Sequence, residues 1–347
     1  MEKTDILRKL YKGSLAELCE YTGKAEYSGI FSPVYSESEI TRFMSDHYKT
    51  EEGVQSQNFE LYDFYEGLIA RAMDLIGADM QGKYTILELG AGFGSATIPI
   101  LKLFPNAHLV ATELSLPMLA RLKQGIEISG YSARCHLLQL NAEESDFESN
   151  SFDFIIGAAI LHHLFHPEKV FEHAYRILKP GGYAVFFEPF AEGYSILGDF
   201  YKIILEESGF SADNRSILSR AINKLKLLFN LNMNRIDKSL VNYFYNSVFV
   251  WDKMKSTDKS GPFFENADDK WLFTKDYFRG IAEKNGFDDC RFFGATTFSE
   301  VFRTHTAGNT QMPIPEWIIQ KFNAIEQDFP AREKEENFTE GCVIVKK

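Results

Sequence analysis

Three groups of residues in this sequence are equipped for chemistry. The first is the turn Gly90-Ala91-Gly92-Phe93-Gly94, which follows the apolar residues Ile86, Leu87 and Leu89 and has an acid, Glu88, just ahead of it. Glycine has no Cβ, so such a turn can take left-handed dihedrals and let a ligand lie against bare backbone. A helix opening after it aims free N–H groups at that ligand, which suits a carboxylate or another anion. The second group closes later strands: Glu113, then Asn141-Ala142-Glu143. A carboxylate at Glu113 can accept two hydrogen bonds from a ribose diol, and a polar side chain at 141–143 can pair with the amino group and ring nitrogens of adenine. The third group is His162, His163 and Glu188. An imidazole titrates near neutrality, which suits a general base, and Glu188 is a second candidate base or a clamp on an acceptor. Each group also has a plainer reading: a tight strand–helix turn, a strand that ends in an acid, histidines that support a loop, and a structural hydrogen bond at Glu188.

The spacing of apolar residues places these groups on alternating strands and helices. Strands are expected at Ile86–Leu89, His108–Leu114, Cys135–Leu140, Phe152–Ala159 and Tyr183–Glu188, with helices at Ser95–Phe104, Pro117–Ile128 and Glu168–Leu178. Pro99 would kink the first of these helices or sit within its first turn, where it is tolerated. Lys179-Pro180-Gly181-Gly182 stops the third helix. Alternation of this kind predicts a doubly wound α/β fold with a parallel sheet, whose strand ends gather a ligand at one edge. Residues 1–80 read as a mostly helical cap with a central loop whose Tyr21, Tyr27, Phe31 and Tyr35 are available for a pocket or for packing. Residues 191–273 read as a helical lid insertion with stripes at 196–204 and 217–229. Its charges at Arg215, Arg220, Lys224, Lys226, Arg235 and Lys238 suit either a solvated helix face or a dock for an acidic or carrier-bound substrate. Residues 274–347 return to the core with a helix at Thr274–Asn285, a strand at Cys290–Ala295, an excursion at 297–336 and a final strand at Gly341–Lys347.

Composition excludes some partners. The chain has 347 residues, and its net charge of -12 argues against a nucleic-acid backbone as the main partner. The cysteines (Cys19, Cys135, Cys290, Cys342) are far apart and read as reduced packing residues of a cytoplasmic protein. No apolar run approaches the roughly 18 residues that span a bilayer, and no signal peptide is expected at the start. The histidines and acids form no metal-ligand set that can be named, so a metal-independent reaction is expected.

Ser95 stands where a dinucleotide fingerprint would have its third glycine, which disfavours a nicotinamide-linked oxidoreductase. The segments ILELGAGFG, VATEL, LNAEES, NSFDFIIGAAILHHL and ILKPGGYAVFFEP, in this order over about residues 84–190, instead resemble the class I S-adenosylmethionine (SAM) methyltransferase superfamily, in its small-molecule, ubiquinone-biosynthesis-like branch. The resemblance implies a Rossmann-like seven-stranded sheet, mostly parallel with the last strand antiparallel, and a SAM-binding core at 81–190. It implies that Glu88 holds the cofactor's ammonium, that Gly90, Ala91, Gly92 and Gly94 give backbone contact to its methionine part, and that Glu113 binds the ribose with Leu114 beside the adenine. Asn141, Ala142 and Glu143 would flank the adenine, and Ala158 or its neighbour would touch the cofactor from the fourth strand. The expected function is methylation of an O, N or C atom of a small molecule in specialised metabolism. A non-catalytic SAM-binding partner protein is the alternative from another class.

Overall fold

The computed structural model describes residues 3–11, 18–20, 27–33, 61–211, 236–308 and 311–347. In chain order the elements used below are α1 (Lys3–Leu10), β1 (Leu18–Glu20), β2 (Ile30–Pro33), α2 (Tyr62–Ile76), β3 (Thr85–Leu89), α3 (Thr97–Leu103), β4 (His108–Glu113), α4 (Leu116–Ile128), β5 (Cys135–Gln139), β6 (Phe152–Ala158), α5 (Pro167–Ile177) and β7 (Leu178–Pro189). They continue with α6 (Ala191–Glu207), α7 (Lys238–Lys255), α8 (Pro262–Asn266), α9 (Lys275–Asn285), β8 (Asp289–Thr297), α10 (Phe298–Val301), α11 (Glu316–Asp328), α12 (Ala331–Glu336) and β9 (Phe338–Lys346). The chain forms two compact units. One comprises Met1–Glu188, Lys275–Phe292 and Cys342–Lys347, the other Pro189–Thr274 and Phe293–Gly341.

The strands of the sheet follow the order β1-β2-β5-β4-β3-β6-β7-β9-β8. From β5 to β7 all pairs are parallel. The last strand is antiparallel to β7, because Gly181 N donates to Lys347 O (2.8 Å) and Lys347 N donates to Gly182 O (3.0 Å). Parallel strands covered on both faces need apolar side chains throughout, and Ile86, Leu87, Ile155 and Ile156 are fully buried. The helix ends follow local chemistry. The Ser115 side chain caps α4 by accepting from Met118 N (3.3 Å). Gly286, at φ +87, ends α9.

The expected count of seven strands is corrected to nine. The extra strands, β1 and β2, lie in the stretch read as a helical cap with a loop. Ile30 and Phe31 pair in parallel with Leu137 and Leu138 of β5 and cover what would be an exposed edge. Tyr27 and Phe31 are buried, so they pack and do not line an open loop. Tyr21, Tyr35, the stripe at 217–229 and the basic residues from Arg215 to Arg235 lie outside the described residues, while Lys238 is exposed at the start of α7. No helix among the described residues is long and apolar enough to cross a membrane.

The second unit has an aromatic core. Phe302 and Phe322 stack at 3.8 Å between ring centroids, and Tyr201 stacks on Phe244 at 4.4 Å. The sequence holds 31 Phe and 16 Tyr, and in this unit rings of both kinds pack on one another. Tyr201 is buried among these rings, and its hydroxyl shares a 2.5 Å hydrogen bond with Thr306 Oγ1 in the π-helical turn that follows α10. Phe322→Ala should destabilise this unit by about 3–5 kcal/mol through the cavity it leaves. Native-state hydrogen exchange at the amides of α6 and α11 would check this, with faster exchange expected in both.

Candidate active site at the carboxyl edge of the sheet

β3 is central. It pairs with β4 on one side and β6 on the other, so chain connections leave it in opposite directions. In open α/β sheets a crevice forms at such a switch point, outside the carboxyl ends of the strands. The glycine turn lies there. Gly90, Gly92 and Gly94 have φ of +68, +52 and +97, but they serve different ends. A Cβ on Gly90 would come within 2.7 Å of the Ile160 side chain, and one on Gly94 within 2.6 Å of Leu122. A Cβ on Gly92 would meet nothing within 4 Å. Gly90 and Gly94 thus permit close packing, and Gly92 presents bare backbone to open space. Ala91 N donates to Thr112 O (2.8 Å) and ties the turn to the neighbouring strand.

Two carboxylates flank this turn. Glu88 is almost wholly buried on β3 and accepts from Thr97 Oγ1 at 2.7 Å. Burial first, against the pull of the Thr97 hydroxyl and with a further push from nearby Glu113, raises its carboxyl to about 8. Glu113 is half-buried at the tip of β4. It accepts from Gly92 N (3.2 Å) and Ser115 N (2.9 Å). Burial raises its carboxyl against the pull of the backbone N–H groups of Ser115, Gly92 and Leu114. The Leu114 carbonyl accepts from Gln139 Nε2 (2.8 Å), and Gln139 Oε1 accepts from Ser32 of β2 (2.7 Å).

At the tip of β5, Asn141 Oδ1 caps a short helical turn by accepting from Glu143 N (3.1 Å), and Ala142 is buried beside it. The carboxylate of Glu143 turns elsewhere. Its Oε1 accepts from Phe165 N (2.8 Å) and His166 N (3.1 Å), so Glu143 holds the loop after β6. Ala158 is half-buried at the end of β6. Ala159 follows with φ +54, a backbone conformation that side chains disfavour.

The loop from Ala159 carries the histidines. Glu188, 1% exposed at the end of β7, accepts from Ile160 N (3.0 Å) and Leu161 N (2.8 Å) through Oε1. Its Oε2 accepts from His162 N (3.2 Å) and lies 2.7 Å from His162 Nδ1. Glu188 is therefore occupied as an acceptor for this loop, which corrects its reading as a base or an acceptor clamp. His162 is buried, His163 is half-buried, and their rings lie 4.0 Å apart. Sequence reasoning had no signal for Thr97, Ile160 or Gln139 as members of the site. Each joins it through a partner distant in sequence or on a helix face.

With this geometry in view, comparisons with known proteins place the core. Residues 87–184 match a family model described as a methyltransferase domain. The chain is 33% identical over 117 residues to the mitochondrial 2-methoxy-6-polyprenyl-1,4-benzoquinol methylase of Caenorhabditis elegans, covering 33% of this chain and 41% of that protein. It is 32% identical over 155 residues to a ubiquinone/menaquinone biosynthesis C-methyltransferase of Vibrio cholerae, covering 42% and 60%. It is 30% identical over 169 residues to the malonyl-[acyl-carrier protein] O-methyltransferase of a Paenibacillus strain, covering 40% and 61%. The chain thus spans about half the length of these curated relatives. Among solved structures, phosphoethanolamine N-methyltransferase 2 of Haemonchus contortus in complex with SAM shares the fold at a TM-score of 0.50 and 16% identity, over 90% of this chain and 60% of that one. With its glycine turn at the switch point, the stretch from β3 to β7 is thus similar to a methyltransferase domain, and the chain shares the fold of a SAM-binding methyltransferase.

Proposed function

We propose that this protein transfers a methyl group from SAM to an O, N or C atom of a small-molecule acceptor. One observation carries the reading: the open face of Gly92 lies beside the Glu113 carboxylate at the switch point of the sheet. The residues there fit the cofactor. Backbone at Gly90, Ala91, Gly92 and Gly94 would hold its methionine part and Glu88 its ammonium. Glu113 would take the ribose diol. Leu114, Asn141 and Ala142 would border the adenine, and Ala158 would close the site from β6. When bound, SAM supplies a methyl on a sulfonium, already a strong electrophile. The protein's task is then to align the acceptor in line with the S–CH3 bond and to exclude water.

For a hydroxyl acceptor a base must also take a proton, and His162 and His163 are the groups we assign to that task. Support comes from their place on the loop after β6, at the carboxyl edge of the sheet. Acceptor choice is assigned to residues 191–273 and 297–336, which lie outside the matched domain. The relatives' names cover a benzoquinol, a carrier-bound malonyl group and phosphoethanolamine, so an acidic or carrier-bound acceptor is within range. We also assign the protein to specialised metabolism, a reading supported by the length of those segments. The free thiols of Cys135, Cys290 and Cys342 support a cytoplasmic location.

Isothermal titration tests the reading. SAM and S-adenosylhomocysteine should both bind, and no binding by either at millimolar levels would end it. Gly92→Val should abolish binding, because its side chain enters the cofactor's space, and circular dichroism checks the fold, since φ +52 strains a β-branched residue. Glu113→Ala should weaken affinity by about 1–3 kcal/mol. Binding should also move protons. The folded protein keeps the Glu88 proton from the ordinary value of 4.5 up to about 8, where the unfolded chain has lost it, so stability falls as pH rises across that window. A ligand ammonium favours the ionised form. Affinity should therefore rise with pH towards 8, with proton release visible as a dependence of the binding heat on buffer ionisation enthalpy near pH 6.5. Glu88→Gln should remove both effects.

A further inference from the structure

The loop between β6 and α5 is gripped from two sides by buried carboxylates that come from different strands. Glu188, at the end of β7, takes the N–H groups of Ile160, Leu161 and His162. Glu143, after β5, takes those of Phe165 and His166. Both acids are nearly inaccessible to water, at 1% and 2% exposure. A buried backbone N–H left without an acceptor is costly, so each acid is tied to one conformation of the loop. The gripped loop reaches two places in the site. Its Ile160 side chain occupies the space that a Cβ on Gly90 would need, and so abuts the glycine turn. Its His162 lies with Nδ1 2.7 Å from Glu188 Oε2. A carboxylate only accepts, so that contact places the ring proton on Nδ1 and sets the tautomer.

We propose that Glu143 and Glu188 are positioning residues that hold the loop 159–166 as one rigid piece, linking the cofactor turn through Ile160 to the orientation and tautomer of His162. The proposal deepens the methyltransferase reading and rests on it only for the meaning of the cofactor turn. It differs from a pair of unrelated structural bonds in two ways. Loosening one grip must loosen the amides held by the other, because the backbone between them is short. Changing Glu188 must also change the chemistry of the imidazole as well as its place. In Glu188→Gln the amide oxygen can still serve Ile160 and Leu161, but the amide nitrogen is a donor that faces both the His162 N–H and Nδ1, so the backbone N–H loses its acceptor and the ring proton moves to Nε2.

Nitrogen-15 NMR of the imidazoles and amide hydrogen exchange test this in the intact protein without any cofactor. In the wild type, His162 should be the Nδ1–H tautomer. The Nε2–H tautomer there would overturn the proposal without any variant. Glu188→Gln should reverse the tautomer and speed exchange about tenfold at Phe165 and His166, the amides held by Glu143. Glu143→Gln should speed exchange similarly at Ile160, Leu161 and His162. Effects confined to each acid's own amides, or an unchanged tautomer in Glu188→Gln, would overturn it. Titration with S-adenosylhomocysteine adds a separate arm, in which both variants should bind at least fivefold more weakly than the wild type. No binding by the wild type would defeat the methyltransferase reading and leave the grip itself to the first arm. Wild-type binding with both variants unchanged would defeat the link to the cofactor turn.

Discussion

The structure depends on one constraint: where the strands of a parallel sheet end, backbone N–H groups leave the ladder and each needs an acceptor. Here buried and half-buried carboxylates supply many of them. Glu113 takes Gly92 and Ser115, Glu143 takes Phe165 and His166, and Glu188 takes Ile160, Leu161 and His162. The same arrangement gathers negative charge at the edge where the glycine turn opens. A cationic ligand such as a sulfonium with an ammonium group suits that edge electrostatically.

The glycine turn shows how packing and binding divide a motif. Two of its glycines are required by protein atoms, Ile160 above Gly90 and Leu122 beside Gly94. The middle one faces open space. The motif is therefore a packing solution at both ends with open backbone between them, and Ile160 joins the turn to the loop that bears the histidines. Glu88, beneath the turn, illustrates the cost of burial. Its carboxyl is pushed up to about 8 by desolvation and is poised to ionise when a positive group arrives.

The second unit follows another principle. Its interior is built from stacked and edge-on rings, with Phe200, Phe302 and Phe322 mutually in contact. Aromatic pairs fix geometry as well as burying area, so the polar hydroxyls of Tyr201 and Thr306 meet at a defined place inside it. A buried hydroxyl pair of this kind must be internally satisfied, and it is.

Local patterns were enough to read the central strands and helices from the sequence, because apolar periodicity and the stops at Pro and Gly are properties of short segments. The places of Glu88 on β3, Gly92 in the turn after it and Glu113 at the tip of β4 were legible for the same reason. The pairing of Ile30–Pro33 with β5 was not legible, since its register is set by a strand a hundred residues away and the segment is broken by Gly29 and Pro33. The duties of Glu143 and Glu188 were not legible either. An acid at a strand end looks the same in sequence whether it meets a ligand or a backbone N–H. Only the three-dimensional approach of residues 160–166 to both strand tips decides which, because hydrogen-bond partners are chosen by distance in space and not along the chain.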